Sequence, residues 1–543
     1  MDGQAPAGGP LAGDRGWGPA PAAFGQDGAA DALPPGPVLA ALTAQATAGA
    51  GSLTDDELVG VLQAARRLAN LADYQQTVVI GEFARRRQAQ FAAAKAAGVA
   101  AGCRSGEFPG EELAMELVTT RGDAAARIDA AVELATRLPH TLAAMAAGAV
   151  DLARASTIAF HARALTDADA ARADEALAAA APGKRLDQLA RKAAALELKL
   201  APEAVAARKA IARQDRRVEA RREQSGNASL SGRELDTADV IASKAYIDAI
   251  ALKLRDAGTG GTLGQLRALA LTDLTQGRNP LDRIKPPPAP PAESPSPGHD
   301  PAGAQAGSAF GPAGDPPAEP TPMPALINLL IPAGTLLGWS TAPGDAAGWG
   351  LLDTEETQTL VKAASRHPRT RWCVTVTGAD GSAIAHGCAA GQHPWQGNAP
   401  PPTGRPPDSG TPDAPTQEQS IRLRDLLQRL NVALEPVARD TCDHRHAEDR
   451  YVPSRKLRHL VRARNQLCTA PACNAQAIYS DLDHTDPYPD GPTDQCNLTP
   501  KCRRHHRTKQ APGWNATQPT PDTTTWTTPS GRTHTTTPTV YDV

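Results

Sequence analysis

Apolar residues recur at helical spacing through most of the first half of the chain. Leu58, Leu62, Ala65, Leu68, Leu71 and Ala72 follow Thr54-Asp55-Asp56-Glu57, a segment whose Thr and Glu can satisfy the first free amides of a helix reciprocally. The same period predicts helices over Glu111–Val118, Ala124–Leu138, Leu152–Leu165 and Leu186–Leu200, punctuated by Pro139, Pro182 and Pro202. Asp236 or Thr237 is placed to cap a further helix carrying Val240, Ile241, Tyr246, Ile247, Ile250 and Leu252. Between Arg217 and Leu235 the period drops to two, with Gly226-Asn227 at the centre, which predicts a β-hairpin. Further on, Ala325–Pro332 and Trp372–Val376 read as strands, and Asp353–Ala364 and Glu418–Leu430 as helices. Thr523–Thr528 and Thr533–Thr537 flank Pro529-Ser530-Gly531 and could close a short hairpin.

Composition sets the boundaries between these elements. The 47 Gly and 49 Pro among 543 residues crowd into 1–35, 285–322 and 393–416, segments from which no core can be built. These are expected to be a disordered leader and two disordered linkers. The fold class expected is mainly α and multidomain. Residues 36–284 would form an Ala-rich helical domain with a small β element, and 323–392 a small α/β continuation of it. Residues 417–460 would be a helical connection, 461–512 a compact C-terminal module, and 513–543 a Thr/Pro-rich tail.

A net charge of −3 excludes a chain that is basic as a whole, so any surface for nucleic acid must be local. The longest apolar stretch, Ala325 to Trp339, is short and contains Asn328 and Pro332, so it does not read as a membrane span. Met1-Asp2-Gly3-Gln4 lacks the charged start and apolar run of a secretory signal, which makes the cytoplasm the expected location. Five of the eight cysteines (Cys442, Cys468, Cys473, Cys496 and Cys502) fall in the C-terminal part. In a reducing compartment that clustering favours metal ligands over disulfides.

The chemistry concentrates in one ordered series. Cys468-x4-Cys473 is followed by Asp481-Leu482-Asp483-His484, then Asn497-Leu498, then Cys502-x2-His505-His506-x2-Lys509. The pairs Cys468/Cys473 and Cys502/His505 each fit one loop or helical turn around an ion, and thiolate with imidazole favours a structural zinc. Within that bracket, Asp483 offers oxygen to a divalent cation, and His484 is suited to be a general base. His506 points about 100° away from its neighbour on a helix and can serve a different ion from His505. Asn497 can hold the His484 imidazole through its amide oxygen. Cys496 has no place in this scheme and reads as a spare thiol or an alternative ligand. Cys442, His444 and His446 lie in a polar segment that reads better as a solvated loop than as a metal site.

That series resembles the HNH endonuclease family over roughly residues 462–510. The resemblance implies a ββα-metal module that hydrolyses phosphodiester bonds. It implies Asp483 and His506 as ligands of a catalytic Mg2+, Mn2+ or Zn2+ ion, His484 as the base, and Asn497 as the residue that orients it. It also implies structural Zn2+ at Cys468, Cys473, Cys502 and His505, with His505 standing where many members have Cys. Upstream, Arg216-Arg217-Val218-Glu219, Ala228-Ser229-Leu230-Ser231-Gly232 and Pro343-Gly344-x3-Gly348-Trp349-Gly350 resemble the helical domain of unknown function that precedes HNH modules in actinobacteria. Mycobacterial members of that group are often called repeat-family proteins. This second resemblance spans about residues 40–390.

The expected partner is nucleic acid, with double-stranded DNA favoured. From Cys442 to Ala511 there are twelve Lys/Arg against eight Asp/Glu. Arg462 and Arg464, with Arg455, Lys456 and Arg458, form one basic cluster. Arg503, Arg504, Arg507 and Lys509, with Lys501, form another. Phosphate contact is one use for them and a solvated helix face is the other. A zinc-containing protein that binds nucleic acid without cutting it shares most of these features. Only a nuclease needs Asp483, His484, Asn497 and His506 together.

Overall fold

The structure, a computed structural model, describes residues 23–284, 328–347, 350–395, 416–538 and 540–541. They are mainly helical, with small antiparallel sheets, and divide into two compact units. The expected linkers 285–322 and 393–416 lie almost wholly outside the described residues.

One unit comprises Met1–Ala206, Arg371–Gly391 and Arg424–Asp542 in its described parts. Its long helix, Asp55–Ala96, starts where the sequence signals it: Thr54 and Glu57 form the reciprocal cap. Helices Arg121–Arg137, Leu152–Ala162, Asp167–Ala180 and Leu186–Leu200 bury Leu134, Ile158, Leu177 and Leu189 in one core, together with Leu138 and Met145. Pro139 and Pro202 each occupy the first turn of a helix, where a missing amide costs nothing. The expected leader is shorter than its composition suggested. Phe24 and Ala30 pack with Leu39 and Ala64, so the chain folds from at least residue 23. Apolar packing of Phe24, Ala30 and Leu33, with Arg67 donating to the carbonyls of Ala30, Asp31 and Leu33, anchors the segment despite the surrounding Gly and Pro.

The same unit holds the C-terminal elements. Helix Arg455–Arg464 packs on the strand pair Cys373–Thr377 and Ala383–Cys388. Strand Asp481–His484 pairs antiparallel with Leu498–Lys501, and helix Arg503–Thr508 follows directly. The tail has three strands rather than a lone hairpin: Asn515–Thr520 joins Thr523–Thr527 and Thr533–Thr536. Residues 323–392 do not form one body, because Arg371–Gly391 groups with the C-terminal elements. Composition could not place that break, since it falls between two ordered segments of similar polarity.

Helix Pro109–Leu117 carries two carboxylates into this interior. Phe108 and Met115 pack with Cys468, Trp514 and Trp526. The Arg87 guanidinium donates to both oxygens of Glu112 at 2.7 and 2.8 Å, and the side chains are 11% and 2% exposed. Arg87→Ala would strand a buried charge, so a loss of about 3–5 kcal/mol is expected on chemical denaturation. A loss under about 1 kcal/mol, the usual worth of a solvated pair, would show that water reaches Glu112.

The second unit comprises Ala207–Thr370 and Gln392–Leu423 in its described parts. The expected hairpin is present as Arg217–Arg222 and Ala228–Arg233, with Gly226 at φ +91° in the turn. Helices Thr237–Asp256 and Leu263–Thr275 pack through Ile250, Leu254 and Leu266. A three-stranded sheet, Leu329–Leu330, Gly344–Ala346 and Gly350–Leu352, precedes helix Thr354–Ser365, which Asp353 caps. No helix among the described residues is long and apolar enough to cross a membrane.

Candidate metal centres and nuclease site

Cys468, Cys473, Cys502 and His505 converge. One ligand atom from each lies within 4.8 Å of all the others, so together they could hold a metal ion such as zinc. Cys468 Sγ is 3.6 Å and Cys502 Sγ 3.2 Å from His505 Nδ1. Cys468 and Cys473 flank a tight turn, and Cys502 caps the helix that carries His505. Hydrogen bonds from Cys468 and Cys473 hold the Cys502 thiol well below its ordinary value. Burial pulls His505 down, but hydrogen bonds to Cys473 and Cys502 outweigh it and lift the imidazole to about 9. This donor set, buried and already sharing charge, fits zinc.

Asp483 and His506 meet beside it. His506 Nε2 is 3.1 Å from Asp483 Oδ1, and its Nδ1 is 3.0 Å from Asp481 Oδ2. The other oxygen of Asp483 faces Lys509 Nζ at 2.7 Å and Lys501 Nζ at 3.1 Å. Burial opposes ionisation of Asp483, yet the His506 hydrogen bond and the two ammonium groups hold its carboxyl well below the usual range. Asp483 Oδ1 and His506 Nε2 thus face one another, and each could offer a ligand atom to one ion.

His484 Nε2 lies 2.8 Å from Thr493 Oγ1, and Tyr451 stacks on the ring at 5.3 Å between centroids and 21° between planes. Burial lowers the imidazole pKa below its ordinary value; Asp483 opposes the shift and Lys509 adds to it. Asn497 does not take the part expected of it. Its amide accepts from the Asp486 amide at 2.7 Å and donates to the Asp486 and Pro492 carbonyls at 2.9 Å. It therefore closes the loop between the two strands, and the Thr493 hydroxyl at the far end of that loop holds the imidazole. Gly491 is required here, since a Cβ would lie 2.3 Å from the Asp486 carbonyl and 2.5 Å from Asn497 Nδ2.

The basic residues separate by burial. Arg503 and Arg507 are exposed, and Arg503 pairs with Asp481 at 3.1 Å. Arg462 is half-buried and reaches the Ser480 carbonyl at 3.3 Å. Arg504 pairs with the buried Glu111 and stacks over Phe108, and Lys509 belongs to the Asp483 cluster. Arg464 is only 2% exposed and donates to the carbonyls of Gln495 and Leu498 at 2.6 Å and to Asn465 Oδ1 at 2.8 Å. It is an internal strut and makes no phosphate contact, because the helix turns its last Arg inward. Burial brings its pKa down to about 10. Arg464→Ala is expected to destabilise the unit by about 3–5 kcal/mol, through a cavity and two orphaned carbonyls. A variant of undiminished stability and weakened nucleic-acid binding would return Arg464 to the phosphate-contact role.

Two further ligand clusters are present, one that escaped the sequence reading and one whose residues that reading had set aside as a solvated loop and a spare thiol. Cys373, His386, Cys388 and His459 come within the same limit of one another, as do Cys442, His444, Asp494 and Cys496. In the first, Cys373 and Cys388 are directly opposed across the strand pair, with the sulfurs 2.9 Å apart, and His459 Nδ1 is 3.0 Å from Cys388 Sγ. The signal was present: His386-x-Cys388, Cys442-x-His444 and Asp494-x-Cys496 all have the spacing of two that puts side chains on one face of an extended chain.

Residues 63–255 match the model of a domain of unknown function, DUF222. Two uncharacterized proteins of Mycobacterium tuberculosis (strain H37Rv), Rv2100 and Rv3776, are each 44% identical to the chain over 93 residues. That stretch is 17% of this chain, 17% of Rv2100 and 18% of Rv3776, so the likeness covers a small part of each protein. No solved structure matches the chain.

Proposed function

We propose that the C-terminal elements form a metal-dependent HNH endonuclease that hydrolyses phosphodiester bonds of nucleic acid, double-stranded DNA foremost. The observation that carries this reading is the arrangement of Asp483, His484 and His506 on a strand pair and the helix after it, beside a four-ligand cluster suited to zinc. It agrees with the ββα order that the sequence resemblance implies.

In this reading His484 takes the proton of the attacking water. Its lowered pKa keeps it neutral near pH 7, and the Thr493 hydroxyl holds the ring's orientation by engaging Nε2. Asp483 and His506 would hold a divalent cation, which when bound neutralises charge on the phosphate and the leaving oxygen. Asp481 orients His506 through Nδ1. Lys509 and Lys501 keep Asp483 ionised. Arg503 and Arg507 supply exposed positive charge for the phosphate backbone. Cys468, Cys473, Cys502 and His505 would hold zinc and the module's shape.

Nicking of supercoiled plasmid by the full chain tests this directly, with Mg2+, Mn2+ or Zn2+ added and with chelator as control. Cleavage should require the cation and should be lost in Asp483→Asn, with zinc content unchanged. Metal-independent nicking, or an Asp483→Asn protein that nicks as well as wild type, would remove Asp483 and its cation from the mechanism, whereas zinc-loaded protein that nicks nothing with any of the three cations would leave the alternative of a zinc-containing nucleic-acid-binding protein that does not cut.

A further inference from the structure

We propose that Cys442, His444, Asp494 and Cys496 hold a second structural metal ion, zinc by the chemistry of the donors, which pins the loop carrying Thr493 and Asn497. All four ligand atoms lie within 4.8 Å of one another. Cys442 Sγ is 3.4 Å, Cys496 Sγ 3.8 Å and His444 Nδ1 2.9 Å from Asp494 Oδ2, and Cys496 Sγ is 3.6 Å from His444 Nδ1. Zinc bonds of about 2.0–2.3 Å at tetrahedral angles put neighbouring ligand atoms roughly 3.3–3.8 Å apart. Three of these four separations fall in that range. The fourth is an ordinary hydrogen bond, which ion entry would open.

Burial argues the same way. Asp494 is 0% exposed. Its Oδ1 accepts from the Gln495 amide at 2.7 Å, so Oδ2 is the oxygen left facing the two sulfurs and the imidazole. A buried carboxylate grouped with two thiols calls for a cation. The buried Arg464 is close enough to be felt, but it directs its donors to Asn465 and to the carbonyls of Gln495 and Leu498. Two thiols, an imidazole and a carboxylate from segments fifty residues apart form a set of four donors, each of a type that zinc binds.

The consequence is positional. The Glu448 amide donates to the Thr493 carbonyl at 2.9 Å, and Gln495 bonds Ala438 and Pro436. An ion at this point would lock the segment around residues 436–448 to the loop ending at Asn497. Thr493, one residue from Asp494, is the group that holds the His484 ring. This positional part rests on His484 being the base; binding of the ion does not.

The full chain, purified under reducing conditions, should carry one equivalent of zinc more than its Cys442→Ser/Cys496→Ser variant. Both should keep the zinc of the Cys468 site, which shows that the module has folded. Cys442 and Cys496 should resist maleimide until a chelator is added. His444→Gln, at a mostly exposed side chain, should leave the fold intact and release that equivalent to chelator on the order of tenfold faster or more. Equal zinc in wild type and the double variant, an unchanged release rate in His444→Gln, or a Cys442–Cys496 disulfide in the purified protein would each overturn the proposal. Plasmid nicking separates the two claims. If wild type binds the extra zinc and cuts nothing, the nuclease reading falls and this site stands. If wild type cuts and the double variant cuts equally well, the positional role is removed.

Discussion

His484→Ala is expected to lower phosphodiester cleavage by about 10^2–10^4-fold, the range that a positioned general base contributes. The full chain should keep its zinc and its affinity for nucleic acid, because His484 belongs to none of the ligand clusters. The loss should therefore fall on the rate constant rather than on binding. In wild type, cleavage should rise with pH as the imidazole loses its proton. Since burial lowers its pKa, that rise should be centred below the ordinary imidazole value of about 6.5. A plasmid-nicking assay across pH 5–8 reads both effects. Retention of wild-type cleavage in the variant would remove His484 from the mechanism. A rise centred well above 6.5 would assign the titration to another group.

The second large effect concerns folding. Cys468→Ser/Cys502→Ser should abolish zinc at the first site and melt the elements around it. Structural zinc in small modules carries an apparent binding energy of about 10–16 kcal/mol, which exceeds what such a module holds without it. The buried neighbours report the event. Trp526 is 0% exposed, donates to the Thr469 carbonyl at 3.0 Å, and lies 6.1 Å from His505 between ring centroids. Trp514 lies edge-on to it at 6.2 Å. Tryptophan emission should shift to the red in the variant, and in wild type treated with a strong chelator. Unchanged zinc content in the variant would mean that the four ligands have been grouped wrongly.

Much of this fold could be read from spacing alone. The Thr54 cap, helix Leu186–Leu200 and the hairpin around Gly226 follow from local rules, and tertiary packing left them in place. The grouping of Cys468, Cys473, Cys502 and His505 was legible for the same reason, since each half of the site is local in sequence. What stayed hidden is non-local. Nothing near Cys373 indicates that His459 will pack beside it, across a segment of Pro, Gly and Asp. Arg464 looked like one more basic residue of its helix until the strand carrying Leu498 filled the other side. Asn497 was given the right neighbourhood and the wrong contact. A sequence shows that an amide is near an imidazole, but the cramped turn at Gly491 decides which way the amide faces.

The buried acids of helix Pro109–Leu117 bear on how such a chain can change over time. Glu111 answers to Arg504 across nearly four hundred residues, and Glu112 Oε1 accepts the Ser530 amide at 3.0 Å in addition to the bonds from Arg87. A recombination that delivered a new C-terminal segment would leave Glu111 with only the 4.0 Å pairing to Arg121 unless the incoming segment brought its own arginine to that spot. Helix Pro109–Leu117 and the segments carrying Arg504 and Ser530 are thus expected to be inherited as a matched set, and exchanges that respect the pairing are the ones expected to survive.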